Sequence, residues 1–318
     1  MEQQILSTDT AAHTTTTITT TSLADFDVQA WSNAQLLRVE QALEQWVGQD
    51  TPAGLGEAMR YAVLDGGKRL RPLLVLAAAQ AVQGQPQAAL RAACALELIH
   101  AYSLVHDDMP CMDNDILRRG KPTVHVQYGE AVALLAGDAL QAQAFELLTP
   151  CEDEVPAGIQ ATLCRLLAHA AGGQGMAGGQ AIDLASVGVA LDEAQLSHMH
   201  ALKTGALLQA AVAMGAACAV VPAPVQAKLA VYAQALGLAF QVVDDVLDVV
   251  ADAATLGKTP GKDAANDKPT YVSLLGLDGA RLYADQLLKT SLQALQDTGL
   301  PDVRALSALA LMVVQRSH

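Results

Sequence analysis

Two clusters of aspartate lie within strongly apolar sequence, and any fold of this chain has to accommodate both. The first is the run Asp107-Asp108-Met109-Pro110-Cys111-Met112-Asp113, and the second is Asp244-Asp245-Val246-Leu247-Asp248. Burying unpaired carboxylates is costly, so the fold must supply them with a cation. Mg2+ is commonly held by a few carboxylates and shares its remaining positions with water and substrate phosphates. The two clusters therefore predict a divalent-metal site between them.

The apolar content of the chain favours helices. Apolar residues make up 52% of the 318 residues, whereas aromatic residues make up only 3%. Ala, Leu and Val dominate the apolar set, and Ala and Leu are strong helix formers. From about residue 26 onward, apolar residues recur at helical spacing without a convincing alternation of period two. These patterns predict a single all-α domain over residues 26–318. The predicted helices cover residues 34–47, 55–64, 72–82, 88–106, 131–148, 160–171, 191–214, 225–250, 279–297 and 302–314.

Residues 1–25 are rich in Thr and low in complexity. We predict that they are disordered, because they offer too little apolar surface to offset the entropy of ordering. The sequence also lacks the basic and apolar stretches of a secretory signal. The five cysteines form no CxxC pair, which is typical of reduced thiols in the cytoplasm. Residues 205–221 come nearest to a membrane span, but their Ala and Gly content predicts a buried helix instead.

The basic residues are concentrated although the chain as a whole is acidic. The net charge of −14 argues against a nucleic-acid partner. Ten of the 19 Lys and Arg residues nevertheless fall in four short segments, and this predicts a local site for an anion; chance clustering on solvated loops is the alternative. These residues are Lys68, Arg69 and Arg71; Arg118, Arg119 and Lys121; Lys203; and Lys258, Lys262 and Lys268.

Spacing within the clusters predicts their geometry. Asp244 and Asp248 are four residues apart, which places them on one face of a helix, with Asp245 beside them. Asp107 and Asp113 are six residues apart and would lie on different faces of a continuous helix. Pro110 disfavours such a helix, so we expect it to end near Met109 and the chain to fold back. That turn would bring Asp113 toward Asp107.

A glycine run, Gly173-x-Gly175-x-x-Gly178, has the spacing of a dinucleotide-binding fingerprint. The run follows a helical pattern, whereas that fingerprint requires a preceding strand. An oxidoreductase built on this run is therefore the least favoured function.

Several ordered motifs resemble those of the trans-isoprenyl diphosphate synthases. The run from Asp107 to Asp113, followed by Arg118-Arg119-Gly120-Lys121-Pro122-Thr123, resembles their first aspartate-rich motif. The spacing in this run is similar to that of bacterial farnesyl diphosphate synthases and also of plant-type geranylgeranyl diphosphate synthases. Four further segments resemble family elements in the family's order: Gly66-Gly67-Lys68-Arg69-Leu70-Arg71-Pro72, Gln180-x-x-Asp183-Leu184, Lys203-Thr204-Gly205, and Phe240 to Asp248.

The resemblance implies an all-α isoprenoid-synthase bundle around a central cavity, usually as a homodimer. It also implies that this fold condenses isopentenyl diphosphate with an allylic diphosphate, using three Mg2+ ions. The metal ligands would be Asp107, Asp113 and Asp244, supported by Asp108 and Asp248. The allylic diphosphate would contact Arg118, Lys203, Gln241 and Lys258, with Thr204 and Lys268 as weaker assignments. The isopentenyl diphosphate would contact Lys68, Arg71, His100 and Arg119.

Some residues have an ordinary structural interpretation as well. His100 lies seven residues before Asp107 and on the same helix face, so we expect it to contact a ligand, whereas His106 is expected to be structural. Arg69 belongs to the basic motif, and its alternative interpretation is that it is no more than a surface charge. Gln180 and Asp183 either line the cavity or cap the glycine turn.

Product length depends on the residues just before the first aspartate cluster. In the family these positions form the floor of the hydrocarbon pocket, and here they are Tyr102 and Ser103. Ser103 leaves room, whereas the ring of Tyr102 favours a C15 product. The loop around Asn114 resembles the geranylgeranyl type, so a C20 product is the main alternative. A terpene cyclase and an inactive synthase subunit are less favoured, because the chain has two aspartate motifs, the basic motif and intact arginines.

Overall fold

The computed structural model describes residues 25–64, 66–151, 155–189, 191–250 and 270–315. The predicted disordered tail, apart from Asp25, lies outside this range, as do Lys258 and Lys268.

The described chain is built from helices, so the predicted all-α class is confirmed. The first six helices are α1 (Val28–Trp46), α2 (Leu55–Val63), α3 (Leu70–Ala81), α4 (Pro86–Asp107), α5 (Val124–Tyr128) and α6 (Glu130–Leu148). The others are α7 (Ala157–Ala171), α8 (Met176–Ala185), α9 (Glu193–His200), α10 (Ala206–Ala216), α11 (Ala223–Val250), α12 (Tyr271–Gln296) and α13 (Arg304–Gln315). A 3-10 turn covers Pro52–Gly54, and a π-helical segment covers Ala201–Gly205. Strands β1 (Leu117–Arg118) and β2 (Lys121–Pro122) form an antiparallel hairpin.

Helix α4 is the centre of the bundle. It begins with Pro86 at its first position, where a missing N–H is tolerated, and the side chain of Gln85 accepts a hydrogen bond from Ala88 N–H. Most of its apolar residues are fully buried, including Leu96, Leu98 and Ile99. A helix that is apolar on all sides is stable only when it is surrounded. Helices α1, α2, α3, α6, α7 and α10 all pack against it.

The last helices close the bundle. Helices α11 and α12 pack against each other and enclose a second, smaller apolar cluster that includes Val242, Val246 and Tyr271. Helix α13 packs against α11 and α12 and also returns to α1 and α3 near the start of the described chain. The two aspartate clusters therefore lie on α4 and α11, one in each part of the core.

Among the described residues, two helices have the length and apolarity of a membrane span, a test that the core helix of a globular protein also passes. In α4, 67% of the apolar window is buried inside the bundle. In α6 only 39% is buried, so this helix leaves an apolar face uncovered.

The described elements differ from the predicted ones in several places. Helix α1 begins at Val28, six residues before its predicted start, and α5 and α8 were not among the predicted helix ranges. The predicted helix over residues 191–214 is divided by the π-helical segment between α9 and α10. Helix α12 begins at Tyr271, eight residues before its predicted start, because Thr270 and Ser273 form a reciprocal capping box there. Gly276, with φ 71° and ψ 165°, kinks the helix between this first turn and the predicted part. The β1–β2 hairpin was not predicted, since two-residue strands are too short to show alternation.

Candidate active site

The first aspartate cluster folds back as the sequence predicts. Helix α4 ends at Asp107, and the backbone N–H of Asp113 donates a hydrogen bond to the carbonyl of Asp107 at 2.9 Å. Burial raises the pKa of Asp107 to about 6; the charge of Asp113 adds to this effect, and that of Lys203 opposes it. Two neighbouring carboxylates at the end of a buried helix thus concentrate negative charge at one point.

Asp108 has a different role from Asp107. It is 3% exposed, and its carboxylate accepts three hydrogen bonds from Arg118, two from Nε at 3.0 and 2.8 Å and one from Nη2 at 2.6 Å. This geometry is a bidentate ion pair, the strongest form that arginine makes with a carboxylate. Asp108 therefore holds the Arg118 guanidinium beside the cluster.

The hairpin directs two adjacent arginines to different places. Its turn residues, Arg119 and Gly120, both have positive φ angles (53° and 79°), as a two-residue type I′ turn requires. Arg118 ends β1 and pairs with Asp108, whereas Arg119 Nη1 donates to the carbonyl of Gly66 at 2.6 Å. Arg119 is thereby held against the basic segment, residues 66–71.

The basic segment lies against this arginine. Gly67 has a φ of 124°, which favours glycine, and a Cβ there would come within 2.7 Å of Arg119 Nη1 unless the arginine moved. Lys68 is exposed, and Arg71 is half-buried in the first turn of α3. Burial lowers the pKa of Arg71, while the charges of Glu97 and Asp244 oppose that change. Arg71 thus lies close enough to the second aspartate cluster to feel its charge.

His100 lies within the same group of cations. Burial lowers its pKa well below the usual value, and the charges of Arg71, Arg119 and Arg118 lower it further. A neutral imidazole surrounded by guanidinium groups is suited to hydrogen-bond an anion. The structure therefore brings together three of the four residues predicted to bind isopentenyl diphosphate, with Lys68 next to them in the chain.

The alternative interpretation of Arg69, as no more than a surface charge, is wrong. Its side chain is 2% exposed and pairs with Glu40 at 2.7 Å and with Glu97 at 2.6 Å. Both glutamates lie about 30 residues away along the chain, so nothing local in the sequence separates Arg69 from Arg71.

Lys203 is positioned by the π-helical segment and by α8. Gly179 of α8 packs so closely that a side chain there would collide with the backbone N of Lys203. Lys203 Nζ then lies 2.5 Å from Asp183 Oδ2. Because π-helical segments are frequent at functional sites, this local irregularity is consistent with a binding role.

A cavity of about 140 Å³ lies beside this ion pair. Its polar lining includes Asp183, Lys203, Thr204, Gln241 and Asp245. For Asp183, the structure favours the cavity-lining alternative over capping of the glycine turn. Three residues predicted to bind the allylic diphosphate, Lys203, Thr204 and Gln241, share this cavity.

The three aspartates of the second cluster are not equivalent. Asp245 is 4% exposed and accepts hydrogen bonds from Gln241 Nε2 at 3.0 Å and from the backbone N–H of Tyr271 at 2.8 Å. It therefore ties α11 to the start of α12. Asp248 is also buried, and in the described part of the chain its Oδ1 has no hydrogen-bond partner. Asp244 is half-buried and is the member whose charge reaches Arg71.

The predicted pocket floor lies one turn below Asp107. Tyr102 is half-buried, and its ring meets that of His106 edge-on at 5.7 Å. Burial raises the pKa of Tyr102, and the charge of Asp107 raises it further. Ser103 Oγ donates to the carbonyl of His100 at 2.8 Å. Tyr102 is thus close to Asp107, whereas the hydroxyl of Ser103 bonds back to its own helix.

His106 is structural, as predicted. Its Nε2 lies 3.1 Å from the carbonyl of Leu134 on α6, and only a glycine at position 137 leaves room for the imidazole ring. This contact fixes the end of α4 against α6, and with it the position of Asp107.

The described carboxylates fit a metal that completes its coordination elsewhere. Among the described residues, no three His, Cys, Asp or Glu side chains lie close enough to hold an ion by themselves. Asp107 and Asp113 do offer hard oxygen ligands in the same turn, and the repulsion between their charges would be relieved by a divalent cation. Such a partial ligand set is typical of Mg2+ that also binds substrate phosphates.

Comparison with known proteins gives one consistent result. The family model described as polyprenyl synthetase matches residues 52–306. A probable farnesyl diphosphate synthase from Bradyrhizobium diazoefficiens is 47% identical over 277 residues, which cover 85% of this chain and 83% of the relative. A chloroplastic geranylgeranyl pyrophosphate synthase from Catharanthus roseus is 42% identical and covers 93% of this chain and 84% of the relative. The crystal structure of a Helicobacter pylori geranyltransferase complexed with magnesium and isoprenyl diphosphate is 34% identical, with a TM-score of 0.78 over 92% of this chain and 97% of that one.

Proposed function

The chain belongs to the polyprenyl synthetase family, and from that premise we propose that it is a farnesyl diphosphate synthase. It condenses isopentenyl diphosphate with dimethylallyl or geranyl diphosphate and releases diphosphate. The observation that carries this proposal is that cations and carboxylates from distant segments lie close together. The charge of Asp244 opposes the lowering of the Arg71 pKa by burial, and the charge of Lys203 opposes the raising of the Asp107 pKa by burial. Relatives of both the C15 and the C20 type match the chain, and the bulky ring of Tyr102 beside Asp107 favours C15.

The reaction begins when the bond between C1 and oxygen of the allylic diphosphate breaks. The diphosphate leaves with the electron pair, and an allylic cation remains. Fixed positive charges aimed at a developing anion are the largest single source of such catalysis. Arg118, held by Asp108, and Lys203, held by Asp183, are the fixed cations beside the first cluster. Mg2+ held by Asp107, Asp113 and Asp244 would add Lewis-acid stabilisation of the leaving group.

The second substrate is bound by the other group of cations. Arg71, Arg119 and neutral His100, with Lys68, orient the diphosphate of isopentenyl diphosphate. Its double bond attacks C1 of the allylic cation, which forms the new carbon–carbon bond and a tertiary cation. That cation then loses a proton, for which we propose the released diphosphate as acceptor. An aliphatic pocket would exclude water that would otherwise quench the cation, and α4 below Asp107 carries aliphatic side chains such as Leu98 and Val105.

The test is a product assay with Mg2+, isopentenyl diphosphate and either dimethylallyl or geranyl diphosphate. We expect farnesyl diphosphate as the main product from both starters, and no product after EDTA removes divalent ions. Excess Mg2+ should then restore the activity. A C20 product would favour the geranylgeranyl alternative, and a cyclised hydrocarbon would contradict chain elongation.

Replacing Tyr102 by Ala should lengthen the products. The ring lies about one helical turn below Asp107, where a growing chain would meet it. We expect most of the product of Tyr102→Ala to be C20 or longer, measured by chromatography after phosphatase treatment. Tyr102→Phe is the matched control and should remain C15, because it keeps the ring. Unchanged products from Tyr102→Ala would show that the floor lies elsewhere.

We also propose that the protein is a homodimer that uses α6. Leu134 and Leu135 on this helix are 47% and 55% exposed, although the helix as a whole is strongly apolar. A second copy of the chain would cover this face. Leu135→Asp should convert a dimer into a monomer in sedimentation velocity experiments. Leu282→Asp, at a 63% exposed position on α12, should leave the dimer intact. A dimeric Leu135→Asp variant would rule out this face.

The domain and compartment proposals rest on simpler observations. Helix α13 packs against α1, which supports one catalytic domain over residues 26–318 with residues 1–25 as a tail. All five cysteines are unpaired, which supports a reducing, cytoplasmic location.

A further inference from the structure

Arg69 is an arginine that cannot bind a substrate, although its neighbours Lys68 and Arg71 are assigned to one. Its Nε donates to Glu40 Oε1 at 2.7 Å, and its Nη1 donates to Glu97 Oε1 at 2.6 Å. Its Nη2 donates to Glu40 Oε2 at 3.2 Å and to the carbonyl of Val63 at 2.6 Å. All three nitrogens of the guanidinium therefore donate to protein acceptors.

The ion pair between Arg69 and Glu97 affects the site because Glu97 also acts on Arg71. Glu97 is 3% exposed and lies on α4, three residues before His100. Its charge acts on both Arg69 and Arg71. A buried carboxylate that loses its partner is strongly unfavourable, and it will take the nearest available cation instead. Without Arg69, that cation would be Arg71.

The backbone of Arg69 adds a second constraint. Its φ and ψ angles are 45° and 34°, in the left-handed region that non-glycine residues rarely occupy. Arg69 is also the N-cap of α3, and its carbonyl accepts a hydrogen bond from Leu73 N–H at 3.1 Å. The ion pairs of its side chain thus hold a strained residue that sets the start of the helix bearing Arg71.

We propose that Arg69 is a positioning residue for isopentenyl diphosphate. By serving as the dedicated counter-ion of Glu97, it leaves the Arg71 guanidinium available to the diphosphate. In the described residues, the buried Nε of Arg71 has no hydrogen-bond partner, so no protein carboxylate holds the guanidinium through that atom. The inference rests on the proposed function, because it takes Arg71 as a ligand of the substrate.

The test separates positioning from stability through the two Michaelis constants. Arg69→Met keeps the unbranched apolar stem of the side chain and removes the charged guanidinium. We expect the KM for isopentenyl diphosphate to rise about tenfold, which corresponds to one weakened charge-assisted contact. The KM for geranyl diphosphate should change less than about twofold, since Lys203 and Arg118 are untouched. Assays well below the melting temperature keep the variant folded.

The double variant Arg69→Met/Glu97→Gln tests whether an unpaired Glu97 is what withdraws Arg71 from the substrate. Removing both members of a buried ion pair is often nearly neutral, whereas removing one is not. With the charge of Glu97 gone, Arg71 is free again, so the KM for isopentenyl diphosphate should return to within about twofold of wild type. A KM that stays high in the double variant would overturn the inference.

Glu40→Gln is the matched control. It removes the other carboxylate partner of Arg69 but leaves Glu97 paired, so both KM values should stay near wild type. If Arg69→Met lowers only the melting temperature or kcat, Arg69 is merely structural and the inference fails. A wild-type product of C20 would overturn the proposed product but not the role of Arg69, because the KM comparison uses the same substrate in either case.

Discussion

Asp107→Asn is expected to lower kcat by about a thousandfold or more, because it removes a metal-ligating charge at the point where the leaving group departs. The fold should survive, since Asn has the same shape and the backbone bond from Asp113 to the carbonyl of residue 107 remains. Burial and the charge of Asp113 already raise the pKa of Asp107, so loss of this charge should relieve repulsion in the metal-free protein. Stability without Mg2+ is therefore expected to be unchanged or slightly higher.

Steady-state rates at saturating substrates and Mg2+ measure this effect, and urea denaturation measures the free energy of unfolding. Asp50→Asn is the control: Asp50 is exposed in the turn after α1, and Asn tolerates its positive φ of 53°. That variant should keep wild-type kcat. An Asp107→Asn variant with more than a tenth of wild-type kcat would show that Asp107 does not ligate the catalytic metal.

Replacing the adjacent aspartates Asp244 and Asp245 on α11 by Asn should have opposite effects on kcat and on the free energy of unfolding. Asp244 interacts electrostatically with Arg71, whereas the carboxylate of Asp245 accepts a hydrogen bond from the N–H of Tyr271 at the start of α12. Asp244→Asn is therefore expected to lower kcat at least a hundredfold with little change in the free energy of unfolding. Asp245→Asn is expected to lower the free energy of unfolding by about 1–3 kcal/mol, as loss of a charged hydrogen-bond acceptor does.

The two variants are matched in chemistry, helix and sequence position, so each is the control for the other. Urea denaturation and steady-state kinetics on the same samples give both quantities. The Asp245 variant should keep at least a tenth of wild-type kcat in its folded fraction. If Asp244→Asn loses stability and keeps its rate, the assignment of Asp244 to the metal is wrong.

The sequence was sufficient to predict those features that depend on interactions between residues close together in the chain. Pro110 within an apolar helical run predicted the fold-back at Asp107, and the hydrogen bond from Asp113 confirms it. Helical periodicity located most helices to within a few residues, because one buried face repeats every three or four positions. The break between α9 and α10 was missed, since a π-helical segment keeps almost the same apolar spacing.

Pairing between distant charges was not predictable. Arg69 and Arg71 are two residues apart and chemically identical, yet one is buried against Glu40 and Glu97. The sequence likewise left open whether Asp183 lines the cavity or caps the glycine turn, and its ion pair with Lys203 favours the cavity. Which of the three aspartates in residues 244–248 faces the site also depended on where Tyr271 begins the next helix.

The order of residues alone determined the all-α class, the chemistry of the site and the residue types that carry it, because periodicity and the need to neutralise carboxylates act within short segments. The tertiary structure decided which charged groups are ligands and which are their supports. That choice depends on distances between α3, α4, α8 and α11, and a guanidinium binds whichever carboxylate or phosphate the packed helices place within about 3 Å of it.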